Sequence, residues 1–124
     1  MTRRPSTREV GNAGEDKACA WLESNAYGIL ARNWRTRRGE IDIIAEKDGT
    51  LVFAEVKTLP SGEAETLAHE LDRRKQKRLI ETAQLFLAKH REYRYNAVRF
   101  DVLVVDMPNW SEVYHIEDAF SEPV

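Results

Sequence analysis

The sequence lacks the residues and motifs that mark several common classes of protein. Cysteine occurs once, at Cys19, and histidine three times in 124 residues. One thiol cannot form an internal disulfide or a cysteine metal cluster, and the three histidines have no spacing that makes a zinc site or a catalytic dyad. Neither a glycine-rich phosphate loop nor a GxSxG nucleophile motif occurs. The sequence therefore argues against a disulfide-stabilised protein, a zinc protein and a serine hydrolase.

Long apolar runs and a large excess of one charge are also missing. No apolar stretch approaches the roughly 20 residues of a membrane-spanning helix. The basic start, MTRRPSTRE, is not followed by the hydrophobic segment of a signal peptide. We therefore expect a cytoplasmic protein without a membrane partner. The formal net charge of -2 argues against a protein that coats nucleic acid by bulk charge alone.

The composition is that of a folded globular chain, with 42% hydrophobic and 32% charged residues. A length of 124 residues is enough for one hydrophobic core but not for two. We predict a single domain over residues 1–124. Residues 1–9 are polar and show no periodicity, so we expect them to be flexible.

The strongest local signal lies in residues 39–58, GEIDIIAEKDGTLVFAEVKT. Two β-rich runs, residues 39–46 and 51–57, flank Asp48 and Gly49. Asp-Gly between such runs is typical of a two-residue β-hairpin turn. We therefore predict an antiparallel hairpin around this turn.

The turn determines which residues are opposed across the hairpin. If Asp48 and Gly49 are the two loop residues, Lys47 faces Thr50 and, five residues further from the turn, Asp42 faces Glu55. Further along, Glu40 faces Lys57. Because side chains alternate between sheet faces, these four charged residues share one face. The other face is apolar and consists of Ile41, Ile43, Ala45, Val52, Ala54 and Val56.

Opposed carboxylates on one face need an explanation. Directly opposed residues have Cβ atoms about 4.5 to 5.5 Å apart, and like charges at that distance destabilise a sheet. Asp42 and Glu55 beside an ammonium group are what a hard divalent cation such as Mg²⁺ requires, because it takes oxygen ligands and keeps several waters. We therefore hypothesise a metal site on this face.

A solvated outer face is the alternative explanation. Charged outward faces are normal for antiparallel sheets, and Glu40 and Lys57 would then form an ordinary cross-strand ion pair. Ile44, Leu51 and Phe53 lie on the same face as the charges, which predicts that this face is at least partly covered. The sequence alone leaves both explanations open.

A helix is predicted over residues 12–25. Its apolar stripe consists of Ala18, Cys19 and Leu22. The same helical spacing leads back to Glu15, which is therefore expected on the core side of the helix. Asn12 followed three residues later by Glu15 is also a capping-box spacing, which would give Glu15 a purely local role.

The remaining pattern completes an α/β chain. We predict strands over residues 27–34, 97–106 and 112–116, and a helical stretch over residues 65–91 with a candidate break before Leu71. The apolar stretch 97–106 is expected to be a central strand covered on both faces. Asp101 within this stretch is either a functional residue or a polar residue whose hydrogen bonds are satisfied near a strand end. The predicted fold class is α/β, with a mixed β-sheet and a central hairpin flanked by α-helices.

Basic residues cluster in two places. The first cluster, Arg32, Arg35, Arg37 and Arg38, leads into the hairpin. The second, Arg73, Arg74, Lys75, Lys77 and Arg78, begins the long helix. Such clusters are either solvated faces or sites for the phosphates of nucleic acid. Cations at a helix start oppose the helix dipole, a small cost that a phosphate partner would offset.

Five segments resemble one bacterial family in their order and spacing. They are GxxGE (11–15), NWRTRRGEID (33–42), FAEVKT (53–58), DRRKQKRL (72–79) and RFDV (99–102). Across nearly the whole chain this set resembles the YraN family of small bacterial proteins. That family looks like a branch of the PD-(D/E)XK, restriction-endonuclease-like nucleases. It is similar to archaeal Holliday junction resolvases in keeping a helical glutamate ahead of the core.

The resemblance implies a metal-dependent endonuclease that hydrolyses phosphodiester bonds in DNA, with branched DNA as a candidate substrate. It makes Asp42 the aspartate of the motif, and Glu55 and Lys57 its ExK element. Glu15 becomes an additional catalytic carboxylate. Mg²⁺ or Mn²⁺ would be bound by Asp42, Glu55 and the carbonyl group of Val56.

Basic side chains would position the DNA backbone. They are Arg35, Arg37, Arg38, Lys75 and Arg78. The chain departs from the family pattern twice, because the motif's proline is absent before Asp42 and Leu59 stands where arginine is usual. The second departure affects one phosphate contact and not the metal site. A junction resolvase needs two active sites and hence a homodimer, but the sequence shows no self-complementary face.

Two other functions remain as alternatives. The main one is a nucleic-acid-binding module that keeps the nuclease fold with little or no catalytic activity. The other is a protein-protein adaptor that uses Trp110, Tyr114 and Phe120 as an adhesive end. Cleavage in Mg²⁺ separates a nuclease from a binding module, and DNA affinity that falls with salt separates both from an adaptor.

Overall fold

The computed structural model describes residues 7–58, 71–106 and 113–121. These residues form two helices and five strands. In chain order they are α1 (Thr7–Ser24), β1 (Gly28–Arg35), β2 (Glu40–Lys47), β3 (Thr50–Thr58), α2 (Arg73–Lys89), β4 (Ala97–Val105) and β5 (Tyr114–Phe120). The start of the predicted long helix, residues 65–70, lies outside the described residues, as do Leu59 and Trp110. Neither described helix is long and apolar enough to cross a membrane.

The five strands form one sheet in the order β1-β2-β3-β4-β5. β3 and β4 are parallel, and the other neighbouring pairs are antiparallel. Parallel pairing requires a crossover connection, and α2 lies in the chain between β3 and β4. The predicted α/β class with a mixed sheet is confirmed, and the arrangement is that of the restriction-endonuclease-like fold.

The predicted hairpin turn is present. Asp48 and Gly49 have positive φ angles of 50° and 80°, as a type I′ turn requires, and this turn matches the twist of the flanking strands. Lys47 pairs with Thr50, which confirms the register at the turn. Glycine suits the second position, because a φ of 80° is one that residues with a side chain rarely adopt.

Each face of the sheet is covered by one of the two described helices. The core under α1 consists of Ala18, Cys19, Leu22, Tyr27, Ile43, Ala45, Val52, Ala54, Leu103 and Val105. The core under α2 consists of Ile41, Ile44, Leu51, Phe53, Ile80, Ala83, Phe86 and Phe100. Side chains of both faces of β4 are buried, as predicted for a central strand. The face that carries Ile44, Leu51 and Phe53 is therefore covered, and a solvated outer face is the wrong explanation.

Ile41 packs under α2, whereas strict alternation along β2 predicts it on the α1 side. Its partner in β1, Trp34, also packs under α2. Asn33, the residue before Trp34, has a left-handed φ of 52°. A residue in this conformation interrupts the two-residue period of a strand as a bulge does. The prediction for Ile41 is therefore wrong, because regular alternation is lost here.

The conformation of Asn33 is testable with two substitutions. Asn33→Ala should lower the free energy of unfolding by about 1 kcal/mol more than Asn33→Gly, because a Cβ atom disfavours positive φ and glycine has none. Urea unfolding of the two variants measures this difference. An alanine variant as stable as the glycine variant would contradict the left-handed conformation.

The start of α1 and the end of β5 differ from the predicted boundaries by several residues. α1 begins at Thr7, so Asn12 lies inside the helix and not at its start. An N-cap residue flanks the first helical turn, so Asn12 and Glu15 cannot form the proposed capping box. β5 continues to Phe120, beyond the predicted end at residue 116.

A charged network is buried in β4. Arg99 donates two hydrogen bonds of 2.8 Å to the fully buried carboxylate of Asp101. His115 Nε2 lies 2.6 Å from this carboxylate, and the Asp118 N–H donates to it at 3.0 Å. Burial opposes ionisation of Asp101, but these hydrogen bonds outweigh it and hold its pKa below the usual value. The hydrogen-bonding capacity of Asp101 is thus satisfied within the fold, which agrees with the second of the two explanations predicted for this residue.

Neutralising Asp101 should be costly. Asp101→Asn leaves the Arg99 guanidinium without its counter-charge, and we expect the free energy of unfolding to fall by about 2 kcal/mol. Glu117→Gln is the matched control, because Glu117 is exposed and its carboxylate lies 4.0 Å from Arg99. The control should change stability by less than about 0.5 kcal/mol. Equal effects of the two substitutions in urea unfolding would argue against a stabilising network at Asp101.

Candidate metal centre

The hairpin carboxylates lie where β2 and β3 separate. The backbone pairs between these strands run from the turn to Ile43 and Ala54. Beyond that point Asp42 Oδ2 accepts a hydrogen bond of 2.8 Å from the Val56 N–H. The Asp42 carboxylate therefore takes the place of a backbone partner for β3. Asp42 and Glu55 are adjacent, but they do not form the regular ladder pair that the turn register predicts.

Glu55 is held beside Asp42 in a largely buried position. Burial raises the pKa of Glu55 to about 9, with a further contribution from the negative charge of Asp42 and an opposing one from Lys57. Glu55 Oε2 is buried and has no hydrogen-bond partner within the described ranges. A buried oxygen of this kind costs folding free energy unless a ligand binds it.

Glu15 reaches the same end of the sheet from α1. It is 7% exposed, and burial together with the charge of Asp42 raises its pKa against the effect of Arg32. Glu15 Oε1 is buried without a hydrogen-bond partner in the described chain, although Arg32 Nε lies 3.9 Å from it. α1 can approach the sheet because Gly14 lacks a side chain, and a Cβ atom there would lie 3.1 Å from Val105 Cγ2. Glu15 is therefore brought to the hairpin carboxylates by helix packing.

Lys57 and Glu55 line a small cavity of about 190 Å³. The other residues around it are Gly39, Glu40, Leu71, Lys75, Arg78 and Leu79. The cavity thus combines carboxylates that can bind a cation with ammonium and guanidinium groups that can bind a phosphate.

The start of α2 supplies the cations of this cavity. Lys75 and Arg78 lie in its first turns, and Asp72 caps the helix by accepting a hydrogen bond of 3.0 Å from the Lys75 N–H. Gly39 permits close packing of α2 here, because a Cβ atom on Gly39 would lie 3.0 Å from Thr82 Oγ1. The tertiary packing therefore brings part of the second basic cluster to the hairpin.

Three of the four arginines in the first cluster were predicted to contact the DNA backbone. These three, Arg35, Arg37 and Arg38, lie at the end of β1 or just after it. Arg35 is 3.3 Å from Glu40, and Arg38 is 3.4 Å from Glu81. Arg37 is exposed. Exposed ion pairs contribute little stability, so Arg35 and Arg38 can exchange a carboxylate for a phosphate at low cost. Glu40 also lines the cavity, which places Arg35 at its rim.

A complete set of side-chain ligands is not assembled. No three histidine, cysteine, aspartate or glutamate side chains among the described residues are grouped closely enough to hold a metal ion. The oxygen ligands available to a metal ion are the carboxylates of Asp42 and Glu55 and the carbonyl group of Val56. Glu15 is near this group but not part of it. Such a set fits Mg²⁺ or Mn²⁺, which accept water as most of their ligands, better than it fits zinc.

Sequence reasoning did not assign Asn33 or Arg32 to this site. Asn33 faces Glu15 and lowers its pKa, and Arg32 lies between Glu15 and Asp16, with 2.7 Å to the latter. Asparagine tolerates left-handed backbone better than most residues, which is a weak signal for a change of strand direction. No pattern in the sequence indicates that this change turns Asn33 toward α1.

The fold and the side chains at this site together define a class. A mixed sheet with a described helix on each face is characteristic of restriction-endonuclease-like proteins, as is an aspartate (Asp42) on one hairpin strand with Glu55-Val56-Lys57 on the other. The chain belongs to the uncharacterised protein family UPF0102, whose model matches residues 14–105. The resemblance to this family, which is the YraN family, is thus confirmed. The matched range contains Glu15 as well as the hairpin residues of the site.

Similar proteins occur in several bacteria. The UPF0102 protein of Treponema pallidum strain Nichols is 44% identical over 119 residues, covering 93% of this chain and 94% of the relative. That of Persephonella marina is 42% identical over 110 residues, covering 89% and 91%. That of Pseudomonas aeruginosa strain LESB58 is 38% identical over 106 residues, covering 86% and 85%. The similarity therefore extends over most of the chain in each case.

Proposed function

We propose that this protein is a metal-dependent DNA endonuclease of the PD-(D/E)XK type, which hydrolyses phosphodiester bonds. The observation that carries the proposal is the adjacent pair of carboxyl groups on Asp42 and Glu55. Glu55 Oε2 is buried without a hydrogen-bond partner in the described part of the chain, and burial and the charge of Asp42 disfavour ionisation of Glu55. A divalent cation would satisfy the oxygen and offset both charges.

The residues present fit Mg²⁺ or Mn²⁺. Asp42 and Glu55 would hold the ion through carboxylate oxygens, and Val56 through its carbonyl group. Glu15 Oε1, also buried without a hydrogen-bond partner among the residues described, would accept a hydrogen bond from water at the site. When bound, the ion neutralises charge on the scissile phosphate and lowers the pKa of water.

Lys57 is the residue that would act on the reacting phosphate. Its side chain lines the same cavity as Glu55, and its positive charge lowers the pKa of that carboxyl group. An ammonium group at this position can stabilise the negative charge that develops on phosphate oxygens in the transition state.

Basic residues around the cavity would position the DNA backbone. We assign this role to Arg35, Arg37, Arg38, Lys75 and Arg78. Contacts to phosphate fix orientation and carry no sequence information. The proposal therefore predicts DNA binding with little sequence preference and with an affinity that falls as salt rises.

The proposal is tested by incubating the protein with plasmid, linear and branched DNA in Mg²⁺ and in Mn²⁺. Cleavage should occur with the metal and stop in excess chelator. Calorimetry should show that Asp42→Asn weakens Mg²⁺ binding at least tenfold. Glu46→Gln is the matched control, because Glu46 is an exposed carboxylate of the same strand. Unchanged Mg²⁺ affinity in Asp42→Asn would rule out the proposed metal site.

A nucleic-acid-binding module without turnover is the second candidate. One observation favours it, namely that the described residues do not assemble three metal-ligating side chains. Such a protein would bind DNA with the same salt dependence and cleave none of the substrates in either metal. The cleavage assay therefore separates the two candidates.

The adaptor alternative has little support from the residues that are described. Tyr114 and Phe120 lie at opposite ends of β5, about 20 Å apart for a strand of this length. Tyr114 is exposed, whereas Phe120 stacks on Phe100 with ring centroids 5.1 Å apart. They do not form a common adhesive patch.

A further inference from the structure

A second groove lies along α2, away from the metal centre. Its volume is about 710 Å³. It is lined by Arg73, Gln76, Lys77, Ile80, Glu81, Gln84 and Ser121. Apart from the apolar Ile80, these side chains are polar or charged. None of them lines the 190 Å³ cavity at Glu55 and Lys57.

The groove continues into an apolar end. The adjoining space of about 320 Å³ shares Ile80, Gln84 and Ser121 with the groove and adds the apolar residues Ala83, Leu87, Val98, Phe100 and Phe120, as well as Asp118. Phe120 is partly exposed and is stacked on Phe100. A charged entrance therefore leads to a floor that includes an accessible aromatic ring.

The cations of α2 are divided between the two depressions. Five of its first six residues are basic. Lys75 and Arg78 line the cavity of the metal centre, whereas Arg73 and Lys77 line the groove. The helix therefore separates two basic surfaces.

The charge of the groove is not balanced within the part of the chain that the structure describes. Glu81 of the groove lies 3.4 Å from Arg38, and Asp118 lines the adjoining end. No ion pair joins a described carboxylate to Arg73 or Lys77. Cations in the first turns of a helix also oppose its dipole, a small cost that an anionic partner would offset. Charge complementarity therefore indicates a polyanion.

We propose that this groove binds a single-stranded DNA segment of a branched substrate whose scissile strand enters the metal centre on the other side of α2. The inference rests on the proposed endonuclease function. Arg73 and Lys77 contact the phosphates, and a base packs on Phe120 at the apolar end. Single-stranded DNA fits better than a duplex, because a basic groove with an aromatic platform binds bases whose faces are free, and in a duplex those faces are stacked.

Binding of fluorescent DNA in excess chelator tests the groove without any need for cleavage. The probes are a fork, which is a duplex with one single-stranded arm, and a blunt duplex of the same duplex length. Wild type should bind the fork more tightly. The double variant Arg73→Gln/Lys77→Gln should lose about tenfold in affinity for the fork, with the duplex unchanged. Loss of two single-strand phosphate contacts should also reduce the slope of log affinity against log salt by about 1.4.

Arg74→Gln/Lys89→Gln is the matched control, because both residues are exposed cations of α2 and line neither depression. It should leave the preference for the fork unchanged. Phe120→Leu keeps an apolar side chain on Phe100 but removes the aromatic face, and it should weaken fork binding at least fivefold.

The outcomes distinguish the groove from the endonuclease. Equal losses of affinity for fork and duplex would overturn the inference, since the groove would then bind the DNA backbone without preference for single strands. Unchanged fork binding in both groove variants would overturn it as well. A selective loss on the fork supports the groove. If wild type then cleaves neither these probes nor plasmid DNA in Mg²⁺ or Mn²⁺, the endonuclease proposal fails while single-strand binding by the groove stands.

Discussion

Replacing Lys57 by methionine should reduce DNA cleavage by about 100-fold, while the protein still folds and binds metal and DNA. Methionine keeps the length and apolar stem of the side chain and removes its charge. A positioned charged group of this kind contributes on that scale in the transition state and much less in the ground state. A cation beside a bound Mg²⁺ is repelled by it, so metal affinity should not fall.

Single-turnover cleavage at saturating metal, with DNA binding measured in parallel, checks this prediction. Lys89→Met is the control, because Lys89 is an exposed lysine in the last turn of α2. It should cleave as wild type does. Comparable cleavage by wild type and Lys57→Met on several DNA structures would show that any nuclease activity does not come from this motif.

Replacing Glu55 by glutamine should stabilise the metal-free protein by up to about 3 kcal/mol at pH 7 and abolish cleavage. The pKa of Glu55 is raised from 4.5 to about 9, so keeping this side chain in the fold at neutral pH requires proton uptake. Each pKa unit corresponds to about 1.4 kcal/mol. Glutamine resembles the protonated acid in shape and takes up no proton, but it cannot hold the cation as a carboxylate does.

The sign of the pH dependence follows from the direction of the shift. The pKa of Glu55 is higher in the folded than in the unfolded protein, so its favourable contribution is complete below about pH 4.5 and is lost as pH rises toward 9. In chelator, wild type should therefore lose stability relative to Glu55→Gln across this range. Added Mg²⁺ should oppose the loss in wild type alone, because a ligand of the folded state stabilises it.

Urea unfolding in chelator at several pH values between about 5 and 9 measures the difference between the two proteins. Glu46→Gln removes an exposed carboxylate from the neighbouring strand and should follow wild type. Parallel curves for wild type and Glu55→Gln would mean that Glu55 is ionised at neutral pH. The adjacent carboxylates would then be balanced by something other than a proton or a metal ion.

The sequence predicted those features that depend on local rules. Asp48 and Gly49 specify a two-residue turn with positive φ angles, and that turn determines the pairing of the strands. The alternation along β3 then places Glu55 and Lys57 on one face. These constraints act between neighbours in the chain or across one hairpin, so they can be inferred without knowledge of the rest of the fold.

Local rules did not predict on which face of the sheet the side chains near Asn33 lie. Regular alternation fails where Asn33 adopts a left-handed conformation, and Ile41 and Trp34 then pack under α2. Asp42 binds the Val56 N–H where a regular ladder would continue. Several backbone conformations are open to an asparagine, and packing of the helices against the sheet selects one.

By itself, the sequence determined the hairpin, its register at the turn and the residue types that can bind a cation. Only the tertiary structure decided which distant residues join them. Gly14 lets α1 carry Glu15 to the site, and the pairing of β4 with β5 brings His115 to Asp101 and makes that aspartate part of the core. These contacts join residues far apart in the chain, and their free energy depends on burial and on shared hydrogen bonds that exist only when the sheet and both helices are assembled.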